Sequence, residues 1–199
     1  MNQLIFGGSK GVLFQNHLIT LSESISKELE IKISHNLIEE RIKKEIKTDF
    51  QIKKLRFDIK NAIVEDSDLN RLKRITINSN NTQEIVIKTY NCKVPFTGNS
   101  RFLKYRPIFF HGFDLIGKIT ECDYKNQQFL SFTFQCKENA KEQFNHLKTE
   151  SLENLELNCS EINKEINNWN TKRLDEIINH LYPKFHDYYV KTKEFETIK

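Results

Sequence analysis

The spacing of apolar residues changes period twice along this chain of 199 residues, and that switch constrains the fold more than any single motif. From Ser22 to about Phe50, the residues Ile25, Leu29, Ile33, Leu37, Ile38, Ile42 and Ile46 recur at about every fourth position, the stripe of an amphipathic helix. The rhythm then drops to two. Leu55, Phe57 and Ile59 alternate with Arg56, Asp58 and Lys60, and Ile75 with Ile77 and Ile85 with Ile87 repeat the pattern, so residues 52–94 predict three strands. Asn78-Ser79-Asn80-Asn81 marks a turn between two of them.

Residues 95–112 hold two of the three prolines and two of the six glycines, which predicts an ordered loop across the end of the sheet. A hairpin follows, with strands over Leu115–Cys122 and Phe129–Cys136 joined at Asp123–Gln127. From Glu138 onward the helical period returns in a stripe running through Phe144, Leu155, Ile166, Trp169, Leu174 and Tyr188, which Pro183 is expected to kink or break. The expected class is α+β: an N-terminal amphipathic helix, an antiparallel sheet of about five strands and a long C-terminal helical pair. Residues 1–136 would form the helix and sheet, and residues 137–199 a helical extension of the same domain.

Composition narrows the function only by exclusion. Thirty-one Lys and Arg against 27 Asp and Glu give a net charge of +4, too mild for a protein that coats nucleic acid. A 38% hydrophobic content with 15 Phe supplies one real core. The start, MNQLIFGGSKGVLF, is too short in its apolar run for a signal peptide, and no run approaches the ~18 apolar residues of a membrane span. A cytoplasmic protein without membrane attachment is expected. Cys92, Cys122, Cys136 and Cys159 contain no C-x-x-C pair and read as reduced, mostly packed thiols. Only two alanines, against heavy use of Ile, Asn, Lys and Phe, point to an AT-rich bacterial gene.

Several motifs invite a chemistry. Gly7-Gly8-Ser9-Lys10-Gly11 after Leu4-Ile5-Phe6 resembles the start of short-chain dehydrogenases, and Tyr189-x-x-x-Lys193 copies the spacing of their catalytic pair. Leu13 stands where the last glycine belongs, however, and no strand-helix-strand alternation follows, so a turn is expected instead. A metal-dependent nuclease needs a carboxylate and an acid-x-Lys on neighbouring strands. Asp58-x-Lys60 is the one such pair on a predicted strand, while Glu30-x-Lys32 and Glu45-x-Lys47 fall on the helix. His111, Cys122, Cys136 and His146 lack zinc-ligand spacing. No cofactor or metal is expected.

Two basic stretches remain. Arg41 to Arg56 holds seven cations against Glu45 and Asp49, and Arg101-Phe-Leu-Lys-Tyr-Arg-Pro-Ile-Phe-Phe-His interleaves three cations with four aromatics. Charges by segment are +3 for residues 1–60, +3 for 61–136 and −2 for 137–199, so the C-terminal helices are not expected to grip phosphate.

The stretch Val94-Pro95-Phe96-Thr97-Gly98-Asn99, then Phe102-Leu103-Lys104-Tyr105-Arg106-Pro107, then a hairpin and a long Asn-rich helix around Trp169-Asn170 and Leu174, resembles an uncharacterised bacterial module. That module forms the N-terminal, non-catalytic half of larger antiphage proteins ending in a restriction-type nuclease or a TIR domain. The resemblance covers residues 20–182, and the module would end near Pro183. It implies a non-catalytic adaptor or sensor acting through a separate effector of nuclease, ATPase or TIR type, and it carries over no catalytic residue. Phe102, Tyr105, Trp169, Tyr182, Tyr188 and Tyr189 are the expected partner-binding residues. The alternative is nucleic-acid binding through Lys43, Lys44, Lys47, Lys53, Lys54, Arg101, Lys104 and Arg106, and a further alternative is a metal-dependent nuclease subunit.

Overall fold

A computed structural model describes residues 2–35, 38–78, 81–122 and 127–197, and its fold is α+β. The chain divides into two compact units, one of Met1–Val12 with Leu55–Ile162, the other of Leu13–Lys54 with Asn163–Lys199. The expected division at residue 136 follows the change of secondary structure, whereas these units follow packing.

The first unit is built on an antiparallel sheet of six strands: β1 (Gln3–Leu4), β2 (Arg56–Phe57), β3 (Ile63–Asn78), β4 (Asn81–Thr97), β5 (Ile116–Cys122) and β6 (Gln127–Lys137). Its order is β1-β5-β6-β4-β2, with β3 also paired to β4. The hairpins arise where the alternation places them. Cys92 pairs with Phe132, Tyr90 with Phe134 and Val94 with Leu130, so these side chains share one face, and all but the half-buried Tyr90 form its core. Helix α3 (Lys141–Asn168) covers that face from its N-terminal end, where the Phe144 ring meets Tyr90 edge-on at 4.6 Å and Phe134 at 5.6 Å.

Only two residues of the expected first strand become a strand. Asp58 instead caps a 3₁₀ turn over Ile59–Asn61, its carboxylate accepting from the Asn61 side-chain amide at 2.7 Å, which ends the strand despite the alternation. The expected loop also contains structure, since Pro95–Thr97 close β4 and Ser100–Lys104 form a 3₁₀ turn. Asn78 pairs with Asn81, while Ser79-Asn80 and the residues 123–126 of the second expected turn lie outside the described residues.

The second unit is helical, with α1 (Phe14–Ser34), α2 (Glu39–Phe50), the end of α3 and α4 (Leu174–Thr197). Here the expected single helix of Ser22–Phe50 is two. Thirteen residues of straight helix would separate Lys32 from Glu45 by about 20 Å, yet their side chains meet at 2.8 Å because the chain breaks between Ser34 and Glu39 and folds back. Ile25, Leu29 and Ile33 of α1 and Ile42 and Ile46 of α2 are buried, whereas Ile38 at the break is 74% exposed.

The expected C-terminal pair is one helical run interrupted by a π-turn at Trp169–Arg173, and Pro183 lies inside α4 without ending it. The π-turn has a packing cause. Trp169 and Leu174 are both buried but five positions apart, and a wider turn brings them to one side, after which Ile178 and Tyr182 follow at four-residue spacing. The Trp169 indole N–H donates to the Phe50 carbonyl at 3.0 Å. Asn170 brackets Ile52, accepting its N–H at 2.9 Å and donating to its carbonyl at 2.8 Å.

Candidate functional site

The glycine segment is a docking turn for the chain itself. Phe6, Gly7 and Gly8 all have positive φ, at 53°, 68° and 61°, and reverse the chain after β1. The Ser9 N–H donates to Asp114 Oδ1 at 2.5 Å and its hydroxyl to Oδ2 at 3.1 Å, so the chain's own carboxylate takes the position an anion would need. Arg106 donates from its guanidinium to the Ser9 carbonyl, and from its backbone to Val12 at 2.8 Å. Tyr189 donates to the Ser34 carbonyl at 2.8 Å, with the Lys193 ammonium 4.9 Å from its ring centre, so this pair ties helices together.

The expected partner-binding aromatics separate by burial. Phe102, Trp169 and Tyr182 are core residues, Tyr105 and Tyr189 are half-buried, and Tyr188 is 70% exposed. Burial raises the Tyr182 phenol above its ordinary value, with Glu39 adding to the shift. On the helical unit Ile31 (52% exposed) and Tyr188 are both exposed, on the two helices that the Tyr189–Ser34 bond connects.

The basic stretches fall in different units, apart from Arg56, which belongs with the sheet. In the first, internal carboxylates take several cations. Glu45 accepts from Arg41 and Lys32, both at 2.8 Å, and these hydrogen bonds hold its carboxyl at about 2. Lys43 meets Glu39 at 2.6 Å, which raises its pKa, and Lys47 meets Asp175 at 2.6 Å. Lys44, Lys53 and Lys54 are exposed. In the second, Arg101 and Lys104 are exposed while Arg106 is engaged with Ser9.

The Asn158 carboxamide clasps the His111 backbone with two bonds of 2.9 Å. Cys92, Cys136 and Cys159 are buried, and desolvation pushes the Cys92 thiol up to about 11. The Cys122 side chain lies outside the description. Among the described residues, no group of three or more His, Cys, Asp or Glu is placed to hold a metal ion, and no helix is long and apolar enough to cross a membrane.

What motif reading misses is the other face of the sheet. An open cleft of about 790 Å³ lies on it, floored by Asn91, Lys93, Lys118, Thr120, Ser131 and Thr133 and walled by Phe113–Ile116. Its signal in the sequence is the polar half of each alternating strand, which becomes a surface only once the register is known. Compared with known protein families, curated proteins and solved structures, the chain matches none.

Proposed function

We propose that this chain is a non-catalytic adaptor or sensor subunit of a bacterial multi-protein complex, of the antiphage kind, working in the cytoplasm through a separate effector of nuclease, ATPase or TIR type. The observation that carries the reading is the exposed apolar surface of the helical unit. Ile31 and Tyr188 face solvent on helices already joined by the Tyr189–Ser34 bond, and covering apolar surface yields roughly 25 cal/mol per Å². Groups with catalytic potential support it too, because Asp114, Asp58 and Tyr189 are spent on holding turns and helices.

The test is co-expression with the genes that flank this one, purifying through a tag on this chain. An effector should co-purify in stoichiometric amount, and Ile31→Glu with Tyr188→Glu should release it while the helical circular dichroism is unchanged. Retention of the effector by that double variant would refute docking at this surface.

A further inference from the structure

We infer that the open face of the sheet in the first unit is a binding platform for single-stranded nucleic acid, a site that shares only Arg56 with the basic stretches of the sequence. Residues paired across an antiparallel sheet share a face. Lys118 pairs with Ser131, Ser131 with Lys93, Thr133 with Asn91, Gln135 with Thr89, Lys137 with Ile87, Ile87 with Arg71, and Ile85 with Lys73. Positions 85, 87, 89, 91 and 93 of β4 alternate onto one side, so every one of these residues lies on the face opposite Phe144 and the core.

Among the described side chains six cations therefore occupy this face: Lys118, Lys93, Lys137, Arg71, Lys73 and, through its pairing with Thr97, Arg56. Among the described side chains the carboxylates on it are Glu65, bridged to Lys93 at 2.8 Å, and Asp114 at the cleft wall, held by Ser9. Lys118, Lys137, Arg71 and Lys73 are exposed and meet no carboxylate among the described residues. From Lys93 to Ile85 the track runs eight steps along β4, about 27 Å at ~3.4 Å per residue. Between the charges lie hydroxyls and amides, which hydrogen-bond phosphate and sugar.

Two observations favour a single strand over a duplex. The cleft is the size of a small-molecule pocket, which admits an extended strand and not a double helix. Phe113 stands partly exposed at its wall, and Phe129 shares the face through its pairing with Thr120, so two rings are placed where bases stack. The inference stands on the sheet alone and does not depend on effector docking by the helical unit.

Fluorescence anisotropy with a labelled oligouridylate of about 16 nucleotides, and with a duplex of equal length, tests it on the full chain. The expected result is binding of the single strand at ~50 mM salt that weakens steeply by ~200 mM, with the duplex bound more weakly. Lys118→Glu with Lys137→Glu should weaken binding about tenfold or more and flatten the salt slope by about 0.7 per lost contact. Lys44→Glu with Lys53→Glu should leave it unchanged. Photocrosslinking of the wild-type protein to a 4-thiouridine oligonucleotide should label peptides of the sheet strands β3 to β6, which decides the matter even if the variant fails to fold. No binding at low salt, a preference for duplex, an unaffected face variant, or crosslinks confined to other elements would overturn the proposal.

Discussion

Gly7 and Gly112 show how single residues join the N-terminal turn and the loop to the rest of the first unit. A Cβ at Gly7 (φ +68°) would sit 2.7 Å from the Lys104 carbonyl oxygen and 3.1 Å from the Arg106 nitrogen, so both backbone strain and a backbone clash oppose any side chain. A Cβ at Gly112 (φ +75°) would overlap the Asn154 carboxamide, a side chain that can be shortened. Gly7→Ala should destabilise the protein by about 1–3 kcal/mol in urea unfolding, with no rescue available from a neighbouring side chain. Gly112→Ala should cost a similar amount but be partly rescued by Asn154→Ala. Equal, additive effects of the Gly112 and Asn154 changes would contradict the packing described. The apolar content around these glycines is readable in the sequence, since Phe6 and Phe102 fall in aromatic-rich runs. Their close approaches are not readable, because they join Gly7 to Lys104 and Gly112 to Asn154, positions far apart in the sequence.

Among the elements, the pair α1 and α2 depends on Glu45, which accepts from both Lys32 and Arg41. Its carboxyl titrates at about 2, below the ordinary 4.5. A folded pKa below the unfolded one means that the carboxylate contributes stability above about 4.5, and that this contribution is lost as pH falls towards 2. Thermal unfolding at pH 7 and pH 3 should therefore show a larger loss on acidification for the wild type than for Glu45→Gln. The same loss in both would show that the bridge does not couple to folding.

The element types follow from periodicity, but their ends do not. Leu37 lies outside the described residues, and Ile38 continues the stripe of α1 in sequence although it is the N-cap of α2, because an apolar residue at a helix cap looks like one inside a helix. Asp58 alternates like a strand residue yet caps a turn. Pro183 carries a breaking signal that α4 absorbs, and the real interruption is foreshadowed only by the five-residue gap between Trp169 and Leu174.

At the scale of the whole chain, each unit is assembled from two separate stretches, so the sheet and the helices each depend on residues distant in sequence. Within the basic stretch Arg41–Arg56, Arg41, Lys43 and Lys47 are paired with carboxylates of their own unit, while Lys44, Lys53 and Lys54 are exposed. The described cations of the sheet face are scattered over five strands and become one surface through register alone. The proposed protein docking at the helical unit and the proposed nucleic-acid binding at the sheet would differ in salt dependence, since apolar contacts survive screening and phosphate contacts do not.

The most direct test of the central claim, an adaptor acting through another chain, is purification from the native host at ~150 mM and ~500 mM salt, with bound protein read by mass spectrometry and nucleic acid by absorbance ratio. The account predicts a stoichiometric protein partner at both salt concentrations, with nucleic acid present at the lower and lost at the higher. A chain that carries nucleic acid at low salt and no protein partner at either concentration would contradict it.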